Sequence, residues 1–308
     1  MVMGKLNDKK LKLVLTYEVV NKDSPEKFNI EIREFCYRKK DSDFDTEQLK
    51  DTSFILLTSG ITMFPKAVMI NHHSILDQLN YLRSLYNSSM LNPQRTFIMC
   101  NHFSHSGGML TFFMGIFSGH NIVIMDGFDP KYYLETFMKY ECNYLLCTPV
   151  MLTILSKYPD LSKYNLSNTL TIVCGGDKIN MNAIKEVKEK TRIKNSVEFF
   201  QAYDSCECPI THFTQSHIDS IKNYLEPAAP PIQFKIIDEQ TNFECTNNEV
   251  GKLLIKSPST MIGYLNDQEK TKSVIDNEWY NTGDTAHFDQ DRNIHLSARV
   301  SEDVPRFK

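Results

Sequence analysis

Thr58-Ser59-Gly60-Ile61-Thr62-Met63-Phe64-Pro65-Lys66-Ala67 is the stretch on which the reading of this chain turns. It gathers hydroxyls, bare backbone N–H groups and one ammonium in a short loop, the chemistry that suits a polyphosphate. Residues 54–57 ahead of it read as a buried strand, and residues 75–86 behind it read as a helix. Open α/β sheets hold ligands outside the carboxyl ends of their strands, so a loop after a strand is well placed. The spacing departs from the G-x-x-x-x-G-K-[ST] phosphate loop. Taken alone, the ten residues fit either a phosphate cradle or an ordinary surface turn. Met63 and Ala67 stand where such a loop favours glycine.

Outward from the loop, strands and helices alternate. Short apolar strands are expected at 97–100, 122–125, 144–147, 171–173 and 197–200, and helices near 150–157 and 182–190. Asp129-Pro130 is a helix start, with an N-cap acceptor and proline in the first turn. Tyr133, Phe137 and Tyr140 then share one helical face. This alternation predicts a parallel, doubly wound sheet. Residues 1–50 are charged and weakly patterned, with a possible strand over 11–20. Ala228-Ala229-Pro230-Pro231 breaks the pattern. Exposed-face strands at 232–237 and 251–256 follow and suggest a separate β-rich subdomain. The expected organisation is an N-terminal segment over 1–50, an α/β core over 51–227, a β-rich subdomain over 228–298 and the start of a hinge over 299–308.

Bulk properties exclude several classes. A length of 308 residues with 41% hydrophobic content can bury a full core without staples. The net charge of −4 gives no footprint for nucleic acid. Eight cysteines are scattered without a C-x-x-C pair, which argues against a zinc site and for reduced thiols. No apolar run reaches a membrane span of roughly 18 residues. The first ten residues lack the apolar centre of a signal peptide, and Arg306-Phe307-Lys308 is not a peroxisomal address. A cytoplasmic setting is expected, or a peroxisomal one if the full-length protein carries a C-terminal signal.

Other segments can carry chemistry. Tyr203 follows the strand at 197–200, where an aromatic ring can stack on a base. Glu207, four residues on, can hold magnesium. A polar turn with a core tyrosine fits the same residues. Asp284, in Trp279-Tyr280-Asn281-Thr282-Gly283-Asp284, can accept from two ribose hydroxyls or sit at a solvated hairpin tip. His102 and His105 precede Gly107-Gly108 without a visible third metal ligand. Gly175 and Gly176 let a ligand approach the backbone closely.

These motifs, in this order, make residues 51–303 resemble the adenylate-forming superfamily of acyl-CoA synthetases, 4-coumarate–CoA ligases and beetle luciferases. The resemblance implies ATP-dependent activation of a small-molecule carboxylic acid as an acyl-adenylate, with Mg²⁺, followed by transfer to coenzyme A. By resemblance Thr58, Ser59, Gly60, Thr62 and Lys66 form the phosphate loop, and His105 gates the acyl pocket. Gly175 and Gly176 run along adenine and the acyl group. Tyr203 stacks on adenine, Glu207 binds magnesium, and Asp284 and Arg299 hold ribose. Lys66, His105 and Glu207 are the expected catalytic residues. Residues 251–266 match the family's β-subdomain signature.

The departures concern the same pocket. Met63, Ala67 and Ile61 add side chains to the loop, with strain wherever φ must be positive. Cys206 stands at the position of a threonine that bonds the α-phosphate, and a thiol is the weaker donor. Asp204 and Asp177 add carboxylates near an anionic substrate. One like-charge contact costs about 1 kcal/mol in water and about 4 near a protein surface. The family's mobile C-terminal cap, with its catalytic lysine, is expected beyond Lys308. A non-catalytic acyl- or nucleotide-binding pseudoenzyme or gene fragment is the alternative to an impaired ligase.

Overall fold

The computed structural model describes residues 51–58, 66–84, 95–101, 103, 105–209, 212–227 and 231–299, together with three short strand segments before them. Those are β1 (Val14–Thr16), β2 (Val19–Val20) and β3 (Asn29–Glu31). Then come β4 (Thr52–Leu57), β5 (Ala67–Asn71), α1 (His72–Ser84), β6 (Thr96–Met99), α2 (Ser106–Phe117) and β7 (Asn121–Met125). The chain continues through α3 (Pro130–Lys139), β8 (Tyr144–Cys147), α4 (Pro149–Ser156), β9 (Thr171–Gly175), α5 (Met181–Thr191), β10 (Glu198–Tyr203) and β11 (His212–His217). It closes with β12 (Gln233–Ile237), β13 (Gly251–Lys256), β14 (Gly263–Tyr264), α6 (Gln268–Val274), β15 (Ile275–Asp276), β16 (Trp279–Phe288) and β17 (Ile294–Arg299).

The central sheet has the order β11-β10-β9-β8-β6-β7-β2. Every pairing in it is parallel except β10 with β11. The chain runs from β6 to β7 on one side and then returns to place β8 on the other. That reversal is a topological switch point, and ligand crevices open beyond the strand ends there. Its inner strands β6, β8 and β9 are mostly apolar runs because both faces are covered. Phe97, Met99, Tyr144, Val173 and Phe200 face one core, shared with α1 and α2. Ile98, Leu145, Ile172, Cys174 and Phe199 face the other, shared with α3, α4 and α5. The mixed α/β architecture with several sheets matches the expected class.

Local chemistry sets the helix starts. The Asp129 carboxylate accepts from Tyr132 N at 2.9 Å with Pro130 behind it, as expected. Thr148 does the same for α4 through Met151 N at 3.2 Å.

Three expectations are corrected. The strand before the glycine loop does not run straight into a helix. It turns back into β5, paired Leu57↔Ala67, and only then starts α1. This hairpin belongs to a separate three-stranded antiparallel sheet, β14-β5-β4. The loop is therefore a hairpin connection and not a crossover of the parallel sheet. The Thr-Gly of 282–283 is no hairpin tip, because it lies inside the ten-residue β16. Finally, the parallel sheet carries an antiparallel edge, β11. No helix among the described residues is long and apolar enough to cross a membrane.

Candidate functional site

The mouth of the β4–β5 hairpin is closed twice. Thr58 N donates to Lys66 O at 3.1 Å, and Lys66 N donates to Thr58 Oγ1 at 3.0 Å. Thr58 is thus a structural clamp at the base of the loop. Ser59, Gly60, Ile61, Thr62 and Met63 lie outside the described residues. Ala67 begins β5 and is not among the residues with positive φ, so the strain expected there is absent.

Lys66 reaches from this hairpin to the segment after β10. Its Nζ lies 3.0 Å from Glu207 Oε1 and 2.9 Å from the Tyr264 hydroxyl. The Tyr264 hydroxyl in turn donates to Glu207 Oε1 at 2.7 Å. The ammonium also sits 4.7 Å from the centre of the Tyr264 ring, a cation–π contact. The Glu207 side chain is only 6% exposed against 36% for Lys66, so the carboxylate bears most of the desolvation. A charge buried that far requires both a counter-charge and hydrogen bonds, and Glu207 has both.

Tyr203 ends β10 half-buried, and its hydroxyl donates to Asp284 Oδ2 at 2.6 Å. Burial, then the Asp284 charge, pushes the Tyr203 phenol well above its ordinary value. Asp284 is set by a local irregularity in β16. Gly283 takes φ +76°, and Asp284 N bonds Thr282 Oγ1 at 3.0 Å. Arg299 is opposite Asp284 in the β16–β17 register, so the two ribose candidates are strand neighbours.

The third part of the site surrounds the start of α2. His105 is its N-cap, with Nδ1 accepting from Gly107 N at 3.2 Å. Ser106, fully buried, donates to Asp204 Oδ2 at 3.3 Å. The buried Cys206 thiol donates to Ser106 Oγ and to Leu57 O, each at 3.6 Å. Burial pushes Asp204 above the ordinary carboxylate value, opposed by His105 and the Ser106 bond. Asp204 therefore lies against the α2 start and Cys206. Asp177 is exposed and bonds its neighbour Lys178 N.

The two glycines divide. A Cβ on Gly175 would meet Ala202 Cβ and O at 2.6 Å, so this glycine admits the neighbouring strand β10. Gly176 takes φ +94°, a Cβ added there would meet nothing within 4 Å, and the residue is open to solvent.

Lys66 and Glu207 thus converge, Tyr203 and Asp284 converge, and His105 joins Asp204 and Cys206 through Ser106. Tyr264 and Ser106 were not among the expected site residues. Tyr264 lies in the 251–266 run that reads as structural, and Ser106 sits between His105 and Gly107 without being singled out. No group of three metal-binding side chains exists among the described residues. Glu207 still fits Mg²⁺, which takes one or two protein carboxylates and completes its shell with phosphates and water. Its Oε2 makes no hydrogen bond among the described residues.

A family model described as "AMP-binding enzyme" matches residues 2–265. The luciferin 4-monooxygenase of Nipponoluciola cruciata is 28% identical over 83% of this chain and 46% of its own length. A 4-coumarate–CoA ligase-like protein of Arabidopsis thaliana is 30% identical over 82% of this chain and 44% of its own. The chain spans less than half the length of these curated relatives. Among solved structures, ATP-bound MatB from Rhodopseudomonas palustris superposes with TM-score 0.69 at 22% identity, over 81% of this chain and 48% of that one. The N-terminal domain of FACL13 from Mycobacterium tuberculosis gives the same score at 19% identity, over 81% and 61%. These two likenesses concern the fold. With the family model covering most of its length, the chain belongs to the AMP-binding enzyme family.

Proposed function

We propose that this chain carries the adenylation part of an acid–CoA ligase-like protein. A substrate carboxylate oxygen attacks the α-phosphorus of ATP, the bond to the bridging oxygen breaks, and pyrophosphate leaves with an acyl-adenylate formed. In the whole protein the acyl group then passes to coenzyme A. The observation that carries this reading is the convergence of Lys66 and Glu207, one from the hairpin loop and one from the end of a central strand. Catalysis of this kind is positioning and charge stabilisation. The Lys66 ammonium is the group that can meet phosphate oxygens once it leaves Glu207. Glu207 would hold Mg²⁺, which supplies charge neutralisation to the triphosphate when bound. The Tyr203 ring would face adenine, and Asp284 would exchange the Tyr203 hydroxyl for ribose hydroxyls. His105, fixed as a helix cap, would border the acyl pocket.

A second reading, nucleotide or acyl binding without turnover, draws on Cys206 and Asp204. The thiol is engaged by Leu57 O and Ser106, and the Asp204 carboxylate stands beside it. Hydroxylamine trapping across fatty and aromatic acids, run beside a thermal-shift titration with Mg–ATP, tests both. Hydroxamate formation supports adenylation, and a shift without hydroxamate supports binding alone. Absence of any shift with any ligand would sink both.

A further inference from the structure

The residues 261–265 hold the two sides of the Lys66–Glu207 pair together. Met261 N donates to Glu207 O at 2.8 Å, and Leu265 N donates to Ala67 O at 2.8 Å. Between these anchors β14 pairs with β5, placing Tyr264 opposite Val68. The Tyr264 main chain is itself fixed, its N donating to Thr271 Oγ1 at 2.9 Å. The residue is 3% exposed, and its hydroxyl ends on Lys66 Nζ and Glu207 Oε1. One hydroxyl therefore accepts from the ammonium and donates to the carboxylate. Both charged side chains have rotatable stems, whereas the tyrosine ring is buried and stiff.

We propose that Tyr264 is a positioning residue of the nucleotide site, its hydroxyl holding the Glu207 carboxylate in place when Lys66 departs to the phosphates. The proposal rests on the adenylation reading above. While ATP is absent, Lys66 and Tyr264 share Oε1. Once Lys66 has moved, the Tyr264 bond is the one that remains on Glu207 from a buried, rigid side chain. A hydrogen bond to a charged group is among the stronger kinds. Losing it frees the carboxylate to rotate and weakens its hold on magnesium, so more magnesium is needed for ATP binding.

Calorimetric ATP binding across a magnesium titration, with wild type, Tyr264→Phe and Lys66→Met, tests the idea. In Tyr264→Phe the magnesium concentration for half-maximal ATP binding is expected to rise about tenfold, the ring still filling its place. In Lys66→Met overall ATP affinity falls, but the magnesium midpoint stays within about twofold, since Tyr264 still holds Glu207. A wild type that binds no ATP at any magnesium level removes the adenylation reading itself. A wild type that binds, with Tyr264→Phe at the same magnesium midpoint, overturns only the role of Tyr264. Should Tyr264→Phe fail to fold, the Lys66→Met arm decides. A tenfold magnesium shift there would assign the positioning to lysine and overturn the proposal.

Discussion

Asp204 lies three residues before Glu207, half-buried, with Ser106 as its hydrogen-bond donor. Burial raises its pKa above the ordinary 3.8. Below 3.8 both folded and unfolded chains carry the proton. Above it the unfolded chain ionises first, so the folded state binds more protons and stability falls as pH rises through the window. Asp204→Asn is therefore expected to be more stable than wild type at neutral pH, with the gain vanishing as pH drops toward 3.8. Urea unfolding at several pH values checks this. A variant less stable at neutral pH would mean that the ionised carboxylate is fully satisfied. The aspartate was visible in the sequence as a departure from the family motif. Its bond to Ser106 was not, because Ser106 lies 98 positions away in the chain. Lys66 and Glu207 were legible as separate motif members. Their pairing is a tertiary fact, and the tyrosine that bridges them follows a glycine in a run that reads as plain β-structure.

At the scale of elements, the strands with apolar runs bounded by turns were the most legible. Residues 144–147 and 251–256 form strands over the expected bounds. Strand β5 was hidden because Ala67–Asn71 starts at the end of the loop and abuts α1 directly, leaving no separate strand to read between the loop and the helix expected from 75. Helix α2 was hidden for another reason: Ser106–Phe117 is apolar on nearly every side and holds three glycines, so it has no 3.6-residue pattern to read. The edge strand β11 was hidden in turn by His212–His217, which mixes polar and apolar residues. The adjacent glycines at the end of β9 offer a test of the element's geometry. Gly175→Ala drives a Cβ into Ala202 Cβ and main-chain O at 2.6 Å and must push β9 from β10, costing about 3 kcal/mol, the upper end of overpacking losses. Gly176→Ala meets no atom and costs only the left-handed backbone, about 1–2 kcal/mol. Denaturant midpoints of the two variants rank them. Equal losses would mean that the strands separate freely.

The molecule as a whole sandwiches its central sheet between two apolar cores, and that burial governs its response to pH. Several titratable groups are sealed in their neutral forms. His120 and His212 are pushed down to about 4, mainly by burial. Cys100 is pushed up to about 11 and Cys142 to about 12, and Tyr81 and Tyr133 are also raised by burial. As pH falls from the ordinary histidine value of 6.5 toward 4, the unfolded chain takes up protons that the folded chain refuses. Stability is full above 6.5 and declines through that window. As pH rises past the ordinary thiol and phenol values of 9.0 and 10.0, the unfolded chain releases protons that the folded chain keeps. Stability then declines again, steepening past 10. The expected curve is a plateau between these limbs, read from urea midpoints across pH. His120→Phe, set among Phe97 and Tyr144, removes one imidazole from the acid limb and should flatten it without touching the alkaline one. An unchanged acid limb in that variant would mean that protons reach His120 within the folded chain, and the seal between sheet and helices would not be what holds it neutral.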